Sequence, residues 1–223
     1  LVILLFLTIS ACDDTESFVG SDNIITEDRA ISNFTGVRAS ENIIVNITAG
    51  TENSVIVRAN DNIIDRVRTE VSGNVLQIGL RNGNYRNIDI SAEIVMADLS
   101  FLRASDAAEI TAGAFDNLDE LRLEATDSGE IEVTGSTTEL SIVSSDGAEI
   151  RAFGVSAIRC DVNVSDGADA EVNVSQEITG RVSDGGDLFY RGNPILNVST
   201  SDGGEVINAT KINLFPLHSR YAV

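Results

Sequence analysis

Twelve acidic side chains recur at fixed positions in the second half of the chain, and they are the residues best suited to do chemistry. Their positions are Asp106, Asp127, Asp146, Asp166, Asp184 and Asp202, each followed three residues later by Glu109, Glu130, Glu149, Asp169, Asp187 and Glu205. Calcium accepts carboxylate oxygens in loose geometry, so one interpretation is a calcium ladder. The other is that the aspartates serve a turn while the second set keeps an edge soluble and unpaired.

The spacing of these acids indicates a repeat. Successive aspartates are separated by 21, 19, 20, 18 and 18 residues, which is typical of stacked repeat architectures. Apolar residues alternate on both sides of each aspartate, as Leu121, Leu123, Ile131 and Val133 do around Asp127. This alternation predicts two half-buried strands joined by a tight corner. A second connection joins the strand after one corner to the strand before the next corner. It holds five to eight residues, and all of the length variation between repeats falls in it.

Two architectures satisfy this pattern. One is an antiparallel meander of hairpins, and the other is an all-β solenoid (a β-helix of two packed sheets) with about 20 residues per coil and coils about 4.8 Å apart. The solenoid is favoured because its two sheets bury each other, whereas a meander needs a separate covering layer. Stacked carboxylates would then repel by about 0.9 kcal/mol per adjacent pair in water, which splayed side chains or a divalent cation would offset.

Charge and motif content exclude several function classes. The net charge is −20, with 35 acidic and 15 basic residues, so nucleic acid is not an expected partner, because phosphate contacts need Lys and Arg. The acids are equivalent copies, whereas an enzyme needs one unique constellation. His218 is the only histidine and has no Ser or Asp at motif spacing, and the chain has no phosphate-binding loop or Cys/His metal spacing. The sequence predicts no catalytic residue and no cofactor apart from the calcium considered above.

The first residues predict where the protein resides. Leu1–Ala11 is an uncharged apolar run, too short to span a bilayer and typical of the central part of a signal peptide. It ends in ISAC at 9–12, which resembles a bacterial lipobox, so residues 1–12 are predicted to be a lipoprotein signal segment with lipidation at Cys12. The lipid would be the only contact with the membrane. The acidic residues 13–16 resemble a surface-export signal, which favours the outer membrane of a Gram-negative bacterium.

The rest of the chain is interpreted as one domain between two flanking segments. The predicted boundaries are a linker at 13–30, a single solenoid domain at 31–207 with a degenerate part (31–104) and six regular repeats (105–207), and a tail or cap at 208–223. Strands of the degenerate part are predicted near 43–48, 54–59, 67–71, 75–80 and 88–95. Ser40, Glu41 and Asn42 look like a degenerate corner, and Cys160 falls in an apolar column, which predicts a buried core thiol.

Several motifs recur in one known family: FTGV at 34–37, VRANDNII at 57–64, the serial corners, and YRGNP at 190–194. On these motifs, over about 31–207, the sequence resembles the "putative auto-transporter adhesin, head GIN domain" family of bacterial surface lipoproteins. It implies a β-helical stack of two sheets, a role in cell-surface adhesion, and no catalytic residues. Asp stands where the family usually has Gly in the six corners, and Met96 and Ala97 replace a more common Pro-containing turn.

The predicted function is a non-enzymatic lipoprotein of the cell envelope, an adhesin-like module that binds a cell-surface glycan or protein. The alternative is a structural or polysaccharide-binding envelope protein with an acidic edge, for which self-association into a homo-oligomer is expected. A polysaccharide-degrading enzyme would need a groove with a non-repeating acid and base, and the sequence supplies none.

Overall fold

Strands make up 67% of the structure. The computed structural model describes residues 16–211, and this part contains no α-helix and no helix long and apolar enough to cross a membrane. Nine strands precede the regular repeats: β1 (Ser17–Val19), β2 (Ile24–Arg29), β3 (Gly36–Ala39), β4 (Ile44–Ala49), β5 (Ser54–Asn60), β6 (Val67–Ser72), β7 (Val75–Leu80), β8 (Asn84–Arg86) and β9 (Ile90–Met96). The repeats form β10 (Phe101–Ala104), β11 (Glu109–Ala125), β12 (Glu130–Ser144), β13 (Glu149–Val164), β14 (Asp169–Val182), β15 (Asp187–Gly192), β16 (Ile195–Thr200) and β17 (Glu205–Asn208). Two short 3-10 helices span Ile64–Arg66 and Ala209–Lys211.

The repeats stack as the coils of a β-solenoid of about five turns. Strands β11, β12, β13 and β14 pair in parallel, each with the next. Equivalent residues are in register, so that Ile110 lies beside Ile131 and Ile131 beside Ile150. This confirms the predicted solenoid and excludes the meander, whose neighbouring strands would be antiparallel.

Each coil contributes to two sheets, which we name by their position relative to the corner aspartate. The post-corner sheet contains the strand portions that follow each corner, and the pre-corner sheet contains the portions that precede it. Their inward residues form continuous apolar columns, as predicted: Leu123, Ile142 and Val162 are at most 1% exposed. Burying one such side chain contributes about 1.5–3 kcal/mol.

The last coil departs from the predicted columns. Leu196 lies at an inward position but is 41% exposed, and Ile195 is 67% exposed. Within residues 16–211, β16 pairs only with β14, so no further coil covers these two side chains.

The second connection also differs from the prediction of two separate strands. The chain continues as a single strand of 14–17 residues through the bend opposite the corner in β11, β12, β13 and β14. Length differences between coils appear there as register shifts, for example between Ala112 and Phe115 and between Ala152 and Ser156. Bulges of this kind absorb extra residues without ending the ladder of hydrogen bonds.

Strands before the repeats cover the first coil. In the pre-corner sheet, β7 pairs in parallel with β3, and β6 continues the sheet in antiparallel fashion. In the post-corner sheet, β9 pairs in parallel with β4, and β5 and β2 follow in antiparallel fashion. The five predicted strands lie within two residues of the observed ones. The antiparallel strands end the stack, because they break the parallel repeat that another coil would extend.

The segment predicted as linker is partly structured. Its described part contains β2, which pairs with β5, and β1, which pairs with β8. Phe18 stacks on Tyr85 with ring centroids 5.4 Å apart, and the Arg66 guanidinium lies 3.7 Å from the Phe18 ring centroid. The buried Asn60 side chain donates to the Ser21 carbonyl at 2.7 Å. The fold therefore begins before residue 31, held by aromatic and amide contacts that have no periodic signal.

Replacing Gly147 with Ala tests the corner backbone. Gly147 has a φ of 67°, and a Cβ there would have no atom within 4 Å, so the substitution changes only backbone strain. We expect the free energy of unfolding to fall by about 1 kcal/mol, the cost of a left-handed conformation for an L-residue. Gly113→Ala is the matched control, since its Cβ would lie 3.6 Å from Thr134 Oγ1 and its φ is not left-handed. Equal effects of the two substitutions in denaturant unfolding would contradict the corner geometry.

Candidate functional site: the corner edge and the adjoining sheet face

The six corners share one turn geometry. In each corner, the Asp and the residue after it have φ between 52° and 82°. The next amide donates to the carbonyl of the residue before the Asp, as Ala108 does to Ser105 at 3.1 Å and Ala148 to Ser145 at 3.2 Å. Two left-handed residues closed by such a bond make a type I′ turn, in which Asp and Gly are among the favoured residues.

Backbone hydrogen bonds connect each corner to the next, in a series that we call the corner ladder. The amide of the second left-handed residue donates to the carbonyl of the corner Asp in the next coil, at N···O distances of 2.9–3.1 Å. The donors are Asn42, Ala107, Ser128, Gly147, Gly167 and Gly185, and the acceptors are Asp106, Asp127, Asp146, Asp166, Asp184 and Asp202. The ladder includes the degenerate corner at 40–42 and aligns the six aspartates along one edge.

The two sets of predicted site residues occupy different surroundings. The corner aspartates are exposed at the turn tips, and Ser145 and Ser165 each donate their hydroxyl to the following Asp carboxylate at 2.7 Å. The acids three residues after each corner Asp lie at the start of the post-corner strands. They face outward and form one column in register. Glu130, Glu149, Asp169 and Asp187 of this column are half-buried, whereas Glu109 and Glu205 are exposed.

Arg151 neutralises part of the second column. Arg151 forms an ion pair with Glu130 at 3.0 Å and another with Glu149. Among the residues that the structure describes, no group of three or more Asp, Glu, His or Cys side chains is placed to hold a metal ion. Both interpretations of this edge, a solvated acidic edge and a calcium ladder, stay predictions.

The fold and the corner geometry can be compared with known proteins. The family model described as "Putative auto-transporter adhesin, head GIN domain" matches residues 33–194. The chain belongs to this family. No curated protein sequence matches the chain.

Two crystal structures resemble this head GIN domain in fold. A putative adhesin from Bacteroides fragilis NCTC 9343 is 17% identical with a TM-score of 0.69, and the match covers 86% of this chain and 99% of that one. A putative adhesin from Parabacteroides merdae ATCC 43184 is 15% identical with a TM-score of 0.52, covering 86% of this chain and 98% of that one. At these identities the likeness shows the fold.

The outer face beside the second acidic column of this head GIN domain carries a carboxyl with a strongly raised pKa, that of Glu171. Burial, with the nearby Glu149 carboxylate, raises the pKa of Glu171 to about 7, although Arg151 and Arg191 act in the opposite direction. The Arg191 guanidinium lies 3.8 Å from the Phe153 ring centroid. Acids, arginines and an aromatic ring therefore share one flat sheet face rather than a cleft.

Reasoning from the sequence did not single out this cluster. Its signal is the position five residues after each corner Asp, which holds Thr111, Glu132, Arg151, Glu171, Phe189 and Ile207 in one column. This position differs from coil to coil while its neighbours repeat.

The remaining residues of the sequence-based prediction fall into two groups. Cys12 and His218 lie outside the described residues. Cys160 is 3% exposed and packs in an apolar column, and burial raises the pKa of its thiol. A neutral thiol in this position is a core side chain and not a nucleophile.

A calcium titration separates the two interpretations of the corner edge. If the edge is simply solvated, the midpoint of thermal unfolding in millimolar calcium equals that in chelator once ionic strength is matched, and this is the result we expect. A calcium-specific rise in the midpoint would establish the ladder. The rise should then be lost in the Asp146→Asn/Asp166→Asn variant, since Asn also tolerates the left-handed turn.

Glu171→Gln tests the electrostatics of the sheet face. The pKa of Glu171 is higher in the folded protein, at about 7, than its ordinary value of 4.5. Its protonated carboxyl therefore stabilises the fold fully below pH 4.5, and this contribution is lost as the pH rises through about 7. One pKa unit corresponds to about 1.4 kcal/mol, and solvent at the exposed part of the side chain reduces the effect. We expect the free energy of unfolding of the variant to equal that of the wild type at pH 4 and to exceed it by about 1 kcal/mol at pH 8.

Glu132→Gln is the control for that experiment. It removes the same charge from the same position of an earlier coil, where the side chain is exposed. Urea unfolding at both pH values measures the two variants. An equally large increase in the free energy of unfolding of Glu132→Gln at pH 8 would contradict a specific role of the Glu171 environment.

Proposed function

We propose that this protein is a non-enzymatic binding module of the bacterial cell surface, adhesin-like in its action, that holds a glycan or protein ligand against its solenoid. The observation that carries the proposal is the registered outer face of the post-corner sheet. There, equivalent positions repeat from coil to coil and present Glu149, Arg151, Glu171 and Phe189 side by side. Flat arrays of this kind suit extended ligands, which contact several coils at once.

The family supports binding over catalysis. Its description and the titles of the two crystal structures name adhesins. The six corners are geometric copies of one another, so no coil is set apart at that edge as a reaction centre would be. General acid–base chemistry on a polysaccharide uses two carboxyl groups in different roles flanking one bond, which identical corners do not provide.

We further propose that the chain is held at the cell envelope by lipid on Cys12. The support is the apolar run at 1–11 followed directly by cysteine, as in a lipobox. The β1 strand begins at Ser17, so only a few residues separate the proposed anchor from the fold. A short tether of this kind would keep the solenoid near the membrane surface, and we place it at the outer membrane of a Gram-negative bacterium.

A structural role in the envelope is the second candidate. It is favoured by the last coil of the described residues, where Ile195 and Leu196 are exposed on β16. An exposed strand edge with apolar side chains pairs readily with another chain. Self-association through this end would build a layer without any ligand.

The test compares cell adhesion of three strains: wild type, a deletion of this protein, and Cys12→Ala. We expect adhesion to glycan-coated or host-protein-coated surfaces to fall in the deletion strain. It should fall equally in Cys12→Ala, because the unlipidated protein is released from the membrane fraction while its fold is unchanged.

Purified protein on glycan and protein arrays completes this experiment. Binding there, together with loss of adhesion in the deletion strain, supports the surface module. Unchanged adhesion in the deletion strain together with silent arrays would overturn it and favour the structural role. Retention of Cys12→Ala in the membrane fraction would contradict the lipid anchor.

A further inference from the structure

A basic groove lies on an otherwise acidic molecule, at the first coils of the pre-corner sheet. Parallel pairing sets Arg38 of β3 beside Arg103 of β10 and also beside Gln77 of β7. Arg68 of β6 lies opposite Gly79 in the next pair of strands. These residues line a cavity of about 300 Å³ that includes Ser40 and Ser105. We call it the arginine groove.

Within residues 16–211, two of the three arginines form no ion pair. Arg103 forms an ion pair with Glu124 at 3.1 Å. In the described residues, no carboxylate oxygen lies within 4 Å of a guanidinium nitrogen of Arg38 or Arg68, although Glu70 also lines the groove. Three other outward arginines of the coils, Arg122, Arg151 and Arg159, are each paired with a glutamate. Arg181, by contrast, donates to the Ser201 hydroxyl.

This placement of like charges is costly without an anion. Arg38 and Arg103 are paired on neighbouring strands, whose backbones lie about 4.8 Å apart, so their like charges repel each other across the sheet face. Glu124 neutralises only one of them. A bound oxyanion would offset the rest, and the planar guanidinium fork matches carboxylate and sulfate oxygens in bidentate fashion.

The floor of the groove is kept open by a glycine. A Cβ at position 79 would lie 3.0 Å from Ser40 Oγ, 3.3 Å from Glu41 Oε2 and 3.8 Å from Arg68 Nη2. The Glu41 carboxylate therefore also lies at this floor, where it accepts a hydrogen bond from the Leu80 amide and forms no ion pair with Arg68. The backbone of Gly79 is not left-handed, so the turn geometry does not require glycine there. Space in front of the arginines is the structural consequence of this residue.

The surroundings favour a saccharide over other anions. Ser40, Gln77 and Ser105 offer hydroxyl and amide groups, and Glu70 and Asp106 offer acceptors, a mixture that fits the many hydroxyls of a sugar. A cavity of about 300 Å³ lies at the small end of ligand sites. The net charge of −20 repels densely charged ligands such as nucleic acids and anionic bilayers. A polysaccharide instead separates its charges by sugar rings.

We propose that the arginine groove binds one carboxylate or sulfate group of an acidic polysaccharide, held by Arg38 and Arg68. The oxyanion site follows from the groove alone. The inference that this oxyanion belongs to a polysaccharide rests on the proposed surface-binding function. The groove lies on the pre-corner sheet, away from the repeating post-corner face, so the two surfaces can be tested separately.

Calorimetric titration of the purified protein with defined oligosaccharides tests the proposal. The probes are an oligouronate, a sulfated oligosaccharide of equal length, and a neutral oligosaccharide. We expect one or both acidic probes to bind and the neutral probe to bind at least 10-fold more weakly. Arg38→Gln/Arg68→Gln should lose at least 10-fold in affinity. Arg38→Lys/Arg68→Lys should recover part of it, because charge is kept while the planar fork is lost.

The matched control is Arg58→Gln/Arg181→Gln. Both side chains are exposed, and the variant removes the same charge. Arg58 lies on β5 of the other sheet, and Arg181 occupies the row of Arg103 four coils further along. Unchanged midpoints of thermal unfolding show that both double variants fold.

Three outcomes would overturn the inference. One is equal loss of affinity in the control variant, and another is equal binding of the neutral probe. The third is wild-type protein that binds no acidic probe. If whole-cell adhesion persists in the Arg38→Gln/Arg68→Gln strain but vanishes in the deletion strain, the proposed function stands and the groove assignment fails.

Discussion

The corner ladder is the constraint on which the rest of the structure depends. One backbone hydrogen bond per coil, such as that from Gly147 to Asp166 at 3.0 Å, fixes each turn directly against the next. Because side chains of a strand alternate between faces, a slip of one residue would turn every apolar column outward. The ladder also requires two left-handed residues per corner, which explains the recurring Asp-Gly pair.

Fixed register has an electrostatic consequence. Equivalent residues of successive coils become neighbours, so an acid repeated in the sequence becomes a column of acids in the fold. Arg151 relieves one such column by pairing with Glu130 and Glu149. The same rule places Arg38 beside Arg103, where the repeat begins and the pairing is incomplete. Specific chemistry is therefore expected where the repeat is broken.

The repeating part could be predicted from sequence, and the irregular part could not. Period-two alternation and the Asp-Gly corners are local signals, so they indicated both sheets, the corner positions and the core placement of Cys160. The strands at 17–29 escaped prediction because they are held by distant partners such as Tyr85 and Asn60. The arginine groove combines positions 38, 68 and 103, which only the antiparallel and parallel pairing of the first coils brings together.

Hydrogen exchange at the corner amides tests the central claim most directly, because these amides lie in exposed turns and only stacking can protect them. Measured residue by residue, the amides of Ala107, Ser128, Gly147 and Gly167 should exchange as slowly as those of the adjoining strands. Gly203, after which no corner follows within residues 16–211, should exchange quickly. Rapid exchange at all the corners would contradict the stacked-coil account.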